Sequence, residues 1–456
     1  MTLGLGVPDI VLEGRLEREH ERRYAHLGFS VPAGTDQLHV RYDYSNRISA
    51  DPTVTGGNTL DIGLFDNRGT EASGPGFRGW SGSSKREFTV GTVWATPPYR
   101  AGAIEAGIWN VLLGPYKIGP KGLNYRVEIW LNPALSNPDH VEPPAPPRLR
   151  ALPEPAEPGW MRADLHCHTR FSDGDSWPLD VLTAAAEAGL DVLAITDHNS
   201  ANVLSAPDDA EARLPVLLPG VEVTTYGGHW NAWGGKGWYE FRDPSDTTTQ
   251  RAMEQAIADG AFISINHPKP YGPPWEYPSV EAYHAVEVWN GPWERLNTLA
   301  LGQWESLLRE GRRLVAVGGS DTHRLHGQTV NPVAPRLGQP TTWIGLAAGA
   351  PRTTETILTA LHAGRCFVAV SPEGPQLYLS PHGNGVRARA VDAHGAVVVV
   401  LDQAGTVAAQ PVTVNDLEIT TPFAPDSTYL RAQIIDPSGT MLAISNPIWR
   451  DAPDTP

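Results

Sequence analysis

Cysteine is nearly absent from this 456-residue chain: only Cys167 and Cys366 occur, so the fold needs no disulfide framework and a reducing compartment is compatible with it. Positive charge is also scarce, with 35 Lys and Arg against 51 Asp and Glu and a formal net charge of −16. Non-specific nucleic-acid binding is carried by Lys and Arg that neutralise phosphates, so this balance argues against nucleic acid as a partner and favours a small-molecule substrate. No stretch approaches the roughly eighteen apolar residues of a membrane span, and the opening residues lack the basic and apolar regions of a secretion signal. A soluble cytoplasmic protein without a membrane partner is therefore expected, and its oligomeric state stays open. The chain is not short of apolar material: 41% hydrophobic and 19% charged is a globular balance, and the length suits two to four domains.

Short alternating segments such as 37–44 and 59–65, separated by Gly, Asn and Asp, predict an antiparallel β-sandwich over residues 1–131. Prolines crowd residues 132–158, which reads as an extended linker. Residues 159–373 alternate apolar strands, near 163–165, 191–195, 216–223, 261–265, 285–288, 314–317, 342–346 and 366–370, with helical segments near 179–188, 249–258, 296–309 and 353–362. Repeated βα units imply an α/β domain on a parallel sheet, here closed into a distorted barrel. Residues 374–456 return to alternation and predict a small β-domain packed on that barrel.

The chemistry-bearing residues fall at strand ends. His166 and His168 are two apart, so the pleat places both imidazoles on one face. Asp173 follows in a Ser-Asp-Gly turn, Asp197 and His198 cap the strand 191–195, and Glu222 lies on the strand 216–223. His229 sits in a Gly-Gly-His turn without a clean strand, His267 ends the strand 261–265, and Asp321 and His323 follow 314–320. Functional groups gather at the carboxyl ends of barrel strands, and mixed imidazole and carboxylate ligation suits Zn, Mn or Fe. Two or three divalent metal ions are expected as cofactors. Asp197 is read as a carboxylate that orients a ligand histidine rather than as a ligand itself. Cys167 is read as a buried thiol, and His284, His326 and His362 as ordinary core or surface residues.

Taken together, His-x-His, Ser-Asp-Gly, Thr196-Asp197-His198, Gly220-x-Glu222, Asn266-His267-Pro268 and Ser320-Asp321-x-His323 resemble the polymerase and histidinol phosphatase (PHP) domain, over roughly residues 160–370. The short β-extensions and Glu287-Val288-Trp289-Asn290 resemble the carbaryl-hydrolase-like branch. The resemblance implies a distorted (β/α)7 PHP barrel that holds up to three ions. It places His166, His168, Glu222 and Asp321 on the first ion, His229 and His267 on a second bridged by Glu222, and Asp173, His198 and His323 on the third. Some relatives have His where this chain has Asp173, which leaves the third site's occupancy and metal open.

A metallohydrolase is the expectation. A hydroxide bridging two ions stays nucleophilic at neutral pH, and the cations offset charge that develops in the transition state. Glu222, Asp321 and His323 are the catalytic candidates; the acid for a poor leaving group is His323 or a metal-bound water. The leading reading is a phosphoesterase acting on small phosphate mono-, di- or triesters. An aryl ester or carbamate hydrolase is the alternative, with the segment 268–277 as a wall for an apolar leaving group. A non-catalytic metal-containing binding protein is the third reading. Lys269 and Arg324 flank ligands and are candidates for binding a substrate oxygen. No P-loop and no nucleophile elbow with a Ser-His-Asp set occurs.

Overall fold

In the computed structural model, residues 5–71, 74–137, 144–200, 214–235, 237–270, 273–326 and 334–451 are described. Residues 138–143 of the proline-rich segment, and Tyr271 and Gly272 of the aromatic one, lie outside them.

The first eight strands are β1 (Ile10–Leu16), β2 (Ala25–Val31), β3 (Gln37–Tyr44), β4 (Thr59–Phe65), β5 (Phe77–Gly82), β6 (Glu87–Gly91), β7 (Gly107–Lys117) and β8 (Leu123–Leu131). They form two four-stranded antiparallel sheets, ordered β1-β8-β3-β6 and β2-β7-β4-β5. Both sheets contribute to one apolar core that includes Leu38, Val40, Leu60, Ile62, Val111 and Val127. Strand β4 is buried along its whole length. Its alternate residues Leu60, Ile62 and Leu64 enter that core, whereas Phe65 joins a second cluster with Trp230, Phe241 and Trp289. Period-two alternation therefore serves two buried faces here, one toward the partner sheet and one toward the middle of the chain.

The middle of the chain contains β9 (Trp160–Cys167), α1 (Pro178–Glu187), β10 (Val192–Ile195), β11 (Val216–Thr225), β12 (Gly228–Trp233), α2 (Asp246–Ala258), β13 (Phe262–Ile265), β14 (Ala285–Asn290), α3 (Asn297–Arg309), β15 (Val315–Gly319), β16 (Thr341–Gly345), α4 (Thr354–His362) and β17 (Cys366–Ala369). Strands β9, β10 and β11 run parallel, as do β13, β14 and β15. Between the two sets, β11, β12 and β13 are antiparallel. The expected (β/α)7 alternation is therefore interrupted among the described residues. Tyr226-Gly227 is too short a link for a parallel crossover, so β11 and β12 must form a hairpin. The sheet curls until the chain after β15 meets β9: Asp321 N donates to His166 O at 2.8 Å, and His168 N to Thr322 O at 2.9 Å. That meeting is an isolated bridge, Cys167 with Thr322, rather than a closing ladder.

The helices end where local chemistry ends them. Ser245 Oγ accepts from Thr248 N at the start of α2, Thr353 caps α4 in the same way, and Gly189, Gly260, Gly311 and Gly364 follow the four helices in left-handed conformation.

Strands β18 (Gln376–Pro381), β19 (Gly385–Val391), β20 (Val397–Asp402), β21 (Gly405–Pro411), β22 (Asp416–Pro422), β23 (Tyr429–Ile435), β24 (Met441–Ser445) and β25 (Ile448–Trp449) complete the chain. Of these, β24 pairs with β17 and extends the central sheet through β23, β20 and β21, whereas β18, β19 and β22 form a separate three-stranded sheet.

Candidate metal centre

Strand ends deliver nine chemistry-bearing side chains to one cluster. His166 lies in β9, and His168 just past its end. Asp173 is in the following turn, where Gly174 is required because a Cβ would sit 2.7 Å from Thr169 C and 2.8 Å from His168 O. His198 follows β10 and is bridged to Glu222 in β11. His229 is the second residue of β12, a fully buried strand in register with Thr224. The clean strand that sequence did not show at His229 is therefore present. His267 and Asp321 follow β13 and β15 with φ of 28° and 54°, positive values that are uncommon outside glycine and cluster at functional sites.

Glu222 is the hub. Its Oε2 lies 3.3 Å from His166 Nε2, 3.4 Å from His168 Nε2 and 2.8 Å from His198 Nδ1. Its Oε1 lies 3.1 Å from His229 Nδ1 and 3.3 Å from His267 Nε2. Asp321 Oδ1 approaches His168 Nε2 at 3.1 Å and His166 Nε2 at 3.5 Å. Asp173 Oδ1 approaches His323 Nε2 at 3.3 Å and His198 Nε2 at 3.6 Å.

Three overlapping groups offer ligand atoms within 4.8 Å of one another: His168, Asp173, His198 and His323; His166, His168 and Glu222; and His198, Glu222 and His229. The sharing differs from the division expected from sequence, since His168 and His198 each belong to two groups.

The electrostatics fit cations. Burial alone would neutralise these groups, yet Glu222 and Asp321 are held well below the usual carboxylate range by the surrounding histidines, which outweigh desolvation. Reciprocally, burial opposes charge on His323, but Asp173 and Asp321 lift it to about 10. Burial with neighbouring His323 and His198 drives His168 down to about 3. Carboxylates thus hold imidazolium protons where positive charge is wanted. His166 Nε2, Glu222 Oε2, His168 Nδ1 and His267 Nδ1 are buried without hydrogen-bond partners among the described residues. Buried polar atoms are ordinarily paired, so the unused His166 Nε2 and Glu222 Oε2, 3.3 Å apart, suit a divalent ion of the Zn, Mn or Fe kind.

Residues outside the expected set brace the cluster. Glu287 is buried on β14 and accepts from His166 Nδ1 at 2.9 Å, His267 N at 2.9 Å and Asn290 Nδ2 at 3.1 Å. An ionised carboxylate only accepts, so it fixes the proton on Nδ1 and turns the His166 Nε2 lone pair toward the cluster. Asn266 Nδ2 donates to Glu222 Oε1 at 2.9 Å, and Thr224 Oγ1 is 2.6 Å from His198 Nδ1. Asp164 accepts from the backbone of His166, Ser320 and Gly338, which locks the ends of β9 and β15 together. The signal for Glu287 was a lone carboxylate inside an apolar strand, and Asn266 stood in the Asn266-His267-Pro268 motif without an assigned role; Thr224 carried none.

Asp197 does not orient a ligand histidine as expected from sequence. Both its oxygens are taken by Thr169 N at 2.7 Å, Thr169 Oγ1 at 2.6 Å and Ser172 Oγ at 2.7 Å, so it braces the turn that carries Asp173. Lys269 is buried, and its Nζ donates to Asn290 O at 3.0 Å and Asn297 Oδ1 at 2.6 Å, which commits it to the connection between β14 and α3. Cys167 is fully buried, with Sγ 3.4 Å from Ala194 O. Trp275 and Tyr277 pack into the apolar cluster, and of the segment 268–277 only Pro273 lines the cavity at the site, among the described residues.

That cavity has a volume of about 600 Å³ and is lined by Asp173, His198, His229 and Arg324 together with Asp61, Trp80 and Tyr116 from the first two sheets. Asp61, on β4, accepts from Tyr226 OH at 2.9 Å; burial pushes its carboxyl up to about 7 against the lowering effect of that bond and of His198.

A PHP domain model matches residues 164–255. The PHP match takes in His166, His168, Asp173, His198, Glu222 and His229, while His267, Asp321 and His323 lie beyond it. The chain is 39% identical over 67 residues to the phosphoribosyl 1,2-cyclic phosphate 1,2-diphosphodiesterase of Eggerthella lenta, a stretch that is 14% of this chain and 26% of that protein. The chain thus spans about a quarter of that relative's length. Among solved structures, a two-domain protein from Bacteroides vulgatus containing a predicted PHP-like metal-dependent phosphoesterase aligns at 20% identity and TM-score 0.41, covering 67% of this chain and all of that one. An amidohydrolase from Chromobacterium violaceum with bound sulfate aligns at 19% identity and TM-score 0.26, covering 38% of this chain and 93% of its own.

Proposed function

We propose that the protein is a metal-dependent phosphoesterase that hydrolyses small phosphate esters at the Glu222 cluster. The observation that carries this reading is Glu222 itself, a buried carboxylate within 3.4 Å of nitrogens on His166, His168, His198, His229 and His267. The PHP match over the first part of the cluster supports it.

His166, His168, Glu222 and Asp321 would hold one ion; His198, His229 and His267 with Glu222 would hold a second, and Asp173 and His323 would extend the set to a third. Ions bound there supply an acidified water and positive charge against the phosphoryl oxygens. The chain's own part is placement. Glu287 and Asn266 set the orientation of ligand atoms, Asp197 holds the Asp173 turn, and Arg324 brings a guanidinium to the cavity for an equatorial phosphate oxygen. His323 Nδ1 faces the Asp321 carbonyl at 3.0 Å, so its Nε2 is the atom presented to Asp173 and to a leaving group beside it. Membership of the carbaryl-hydrolase-like branch, a closed barrel and a cytoplasmic location belong to the same proposal.

The test is elemental analysis of purified protein, paired with hydrolysis of an aryl phosphate panel before chelation, after it and after return of Zn, Mn or Fe. Two or three ions per chain with chelator-sensitive phosphate turnover is the expected result. Chelator-sensitive turnover of an aryl carbamate or carboxyl ester alone would replace the phosphoesterase reading with the ester hydrolase one.

A further inference from the structure

The cluster accounts for the metal-bearing part of the cavity and leaves the rest unexplained. Asp61, Trp80, residues 81–84 and Tyr116 line the same cavity, and all come from the first two sheets, outside the PHP match. The two regions are locked together around it. Tyr226, four residues after Glu222, is sandwiched between the rings of Tyr24 and Tyr116, with centroids at 5.0 and 5.2 Å. Lys85 Nζ donates to Ser172 O at 3.0 Å, next to Asp173.

Asp61 is the anomaly on this wall. It stands in the middle of a fully buried strand, is only 7% exposed, and forms no ion pair among the described residues. Tyr226 occupies Oδ2, and among the described residues no donor satisfies Oδ1. Nearby, the buried Trp80 Nε1 also has no hydrogen-bond partner among the described residues. Burying a carboxyl without full pairing is costly and needs a compensating ligand contact or a structural reason. The buried Tyr226 hydroxyl gives Oδ2 a structural reason, but it leaves Oδ1 on the cavity that Asp61 lines without a donor among the described residues.

We infer that Asp61 is a specificity-determining residue, and that the wall around it binds the leaving group of a phosphate ester through the leaving group's hydroxyls. The inference rests on the phosphoesterase reading for where the phosphoryl group sits. Three chemical classes compete for this wall. A second anion would meet the Asp61 carboxylate and be repelled. A purely apolar aryl group would bury Oδ1 against carbon and leave it unsatisfied. A hydroxyl both donates and accepts, so it pairs with Asp61 whether the carboxyl is ionised or, as its raised position near neutrality allows, protonated. The Tyr116 and Trp80 rings suit the C–H faces of a compact polyol or sugar. A site built to bond a hydroxyl discriminates strongly against the analogue lacking it, because the buried polar group is then left unpaired.

The experiment measures binding of glycerol 2-phosphate, propan-2-yl phosphate and 2-aminoethyl phosphate to the metal-loaded full chain by calorimetric titration, with turnover of the first two followed in parallel. The first two ligands share one carbon skeleton and differ only in two hydroxyls. The expected result is at least about tenfold tighter binding of glycerol 2-phosphate than of propan-2-yl phosphate. That ratio should collapse toward one in Asp61→Leu and largely survive in Asp61→Asn, whose amide still donates and accepts. Unfolding midpoints and metal content of both variants separate a lost contact from a lost fold. Equal affinities in the wild type, no binding of either ligand, or a ratio unchanged in Asp61→Leu overturns the inference, as does tightest binding of the aminoethyl ester. Hydroxyl preference without turnover would leave the inference standing and sink the phosphoesterase reading. Turnover of both esters without preference would do the reverse.

Discussion

Two sets of residues line one cavity, and they are built on opposite principles. The candidate metal-facing set is assembled from residues in or next to β9, β10, β11, β12, β13 and β15, and every member is a His, Asp or Glu. The set from the first two sheets is made of common residue types, a serine-rich turn, a few aromatic rings and a single buried carboxylate. The first set spends its polarity on itself, carboxylate against imidazole, and is braced from behind by Glu287, Asn266 and Asp164. The second leaves Asp61 with one donor. Chemistry demands convergent ligands and tolerates little variation, whereas recognition needs only shape and one or two well-placed polar atoms.

The widest break between the two sets comes from Glu222→Gln, which keeps shape and removes the charge that five histidines share. Turnover should fall on the order of a thousandfold and bound metal should drop with it, because catalysis by charge placement is lost together with its ligand. Elemental analysis beside the phosphate assay checks this, and retention of both metal and rate would show that the hub lies elsewhere.

On the other side of the cavity, Asp61→Asn tests burial of a titrating group. The native carboxyl sits near 7 against 3.8 for a free aspartate. Below pH 3.8 both folded and unfolded forms are protonated and nothing is lost. As pH rises from there toward 7, the unfolded chain releases a proton that the native state retains, so native stability falls through that window and levels off above it. The asparagine variant lacks this ionisation and should gain on the wild type by about 2 to 4 kcal/mol between pH 4 and pH 7.5. Urea unfolding of chelated protein at the two pH values is the measurement; parallel curves for the two proteins would mean that Asp61 is not held protonated.

Gly319 probes the backbone that sets the ligands. A Cβ there would lie 2.4 Å from His166 Cβ and 2.9 Å from His166 N, a contact with no flexible side-chain tip to yield. Gly319→Ala should cost about 1 to 3 kcal/mol of stability and lower metal content by moving His166. Thermal unfolding and metal analysis decide, and an unperturbed variant would mean that β9 and β15 are less tightly apposed than this packing implies.

Much of the candidate cluster was readable because histidines and carboxylates in or at the ends of apolar runs stand out against their neighbours. His166, His168, His198, Glu222 and Asp321 all have that form, and the structure brings them together. His229 was harder, since Gly227 and Gly228 look like a turn while the strand they begin is paired on both sides. Asp197 and Lys269 were misjudged in role for one reason: adjacency to a ligand in sequence says nothing about where a side chain points. Asp61 could not be read at all. In a segment alternating Leu60, Ile62 and Leu64, a charged residue on the other face looks solvated, and only the packing of a second region onto that face buries it. The continuity of β17 with β24 was hidden likewise, because strand pairing between distant segments leaves no local mark.

Glu287 stands behind the metal-facing set as Tyr226 stands behind Asp61, and the smallest effect tests how far such support reaches. Glu287→Gln keeps the acceptor oxygen but removes the charge that holds the His166 Nδ1 proton, and it offers an amide that can compete for the same position. Partners of this kind are typically worth a factor of about 10 to 100 in metal affinity. Competition with a chelator of graded strength should show a loss in that range with the fold intact. If the loss matched that of Glu222→Gln, Glu287 would itself belong among the ligands, and the line between residues that hold the ions and residues that aim them would have to be redrawn.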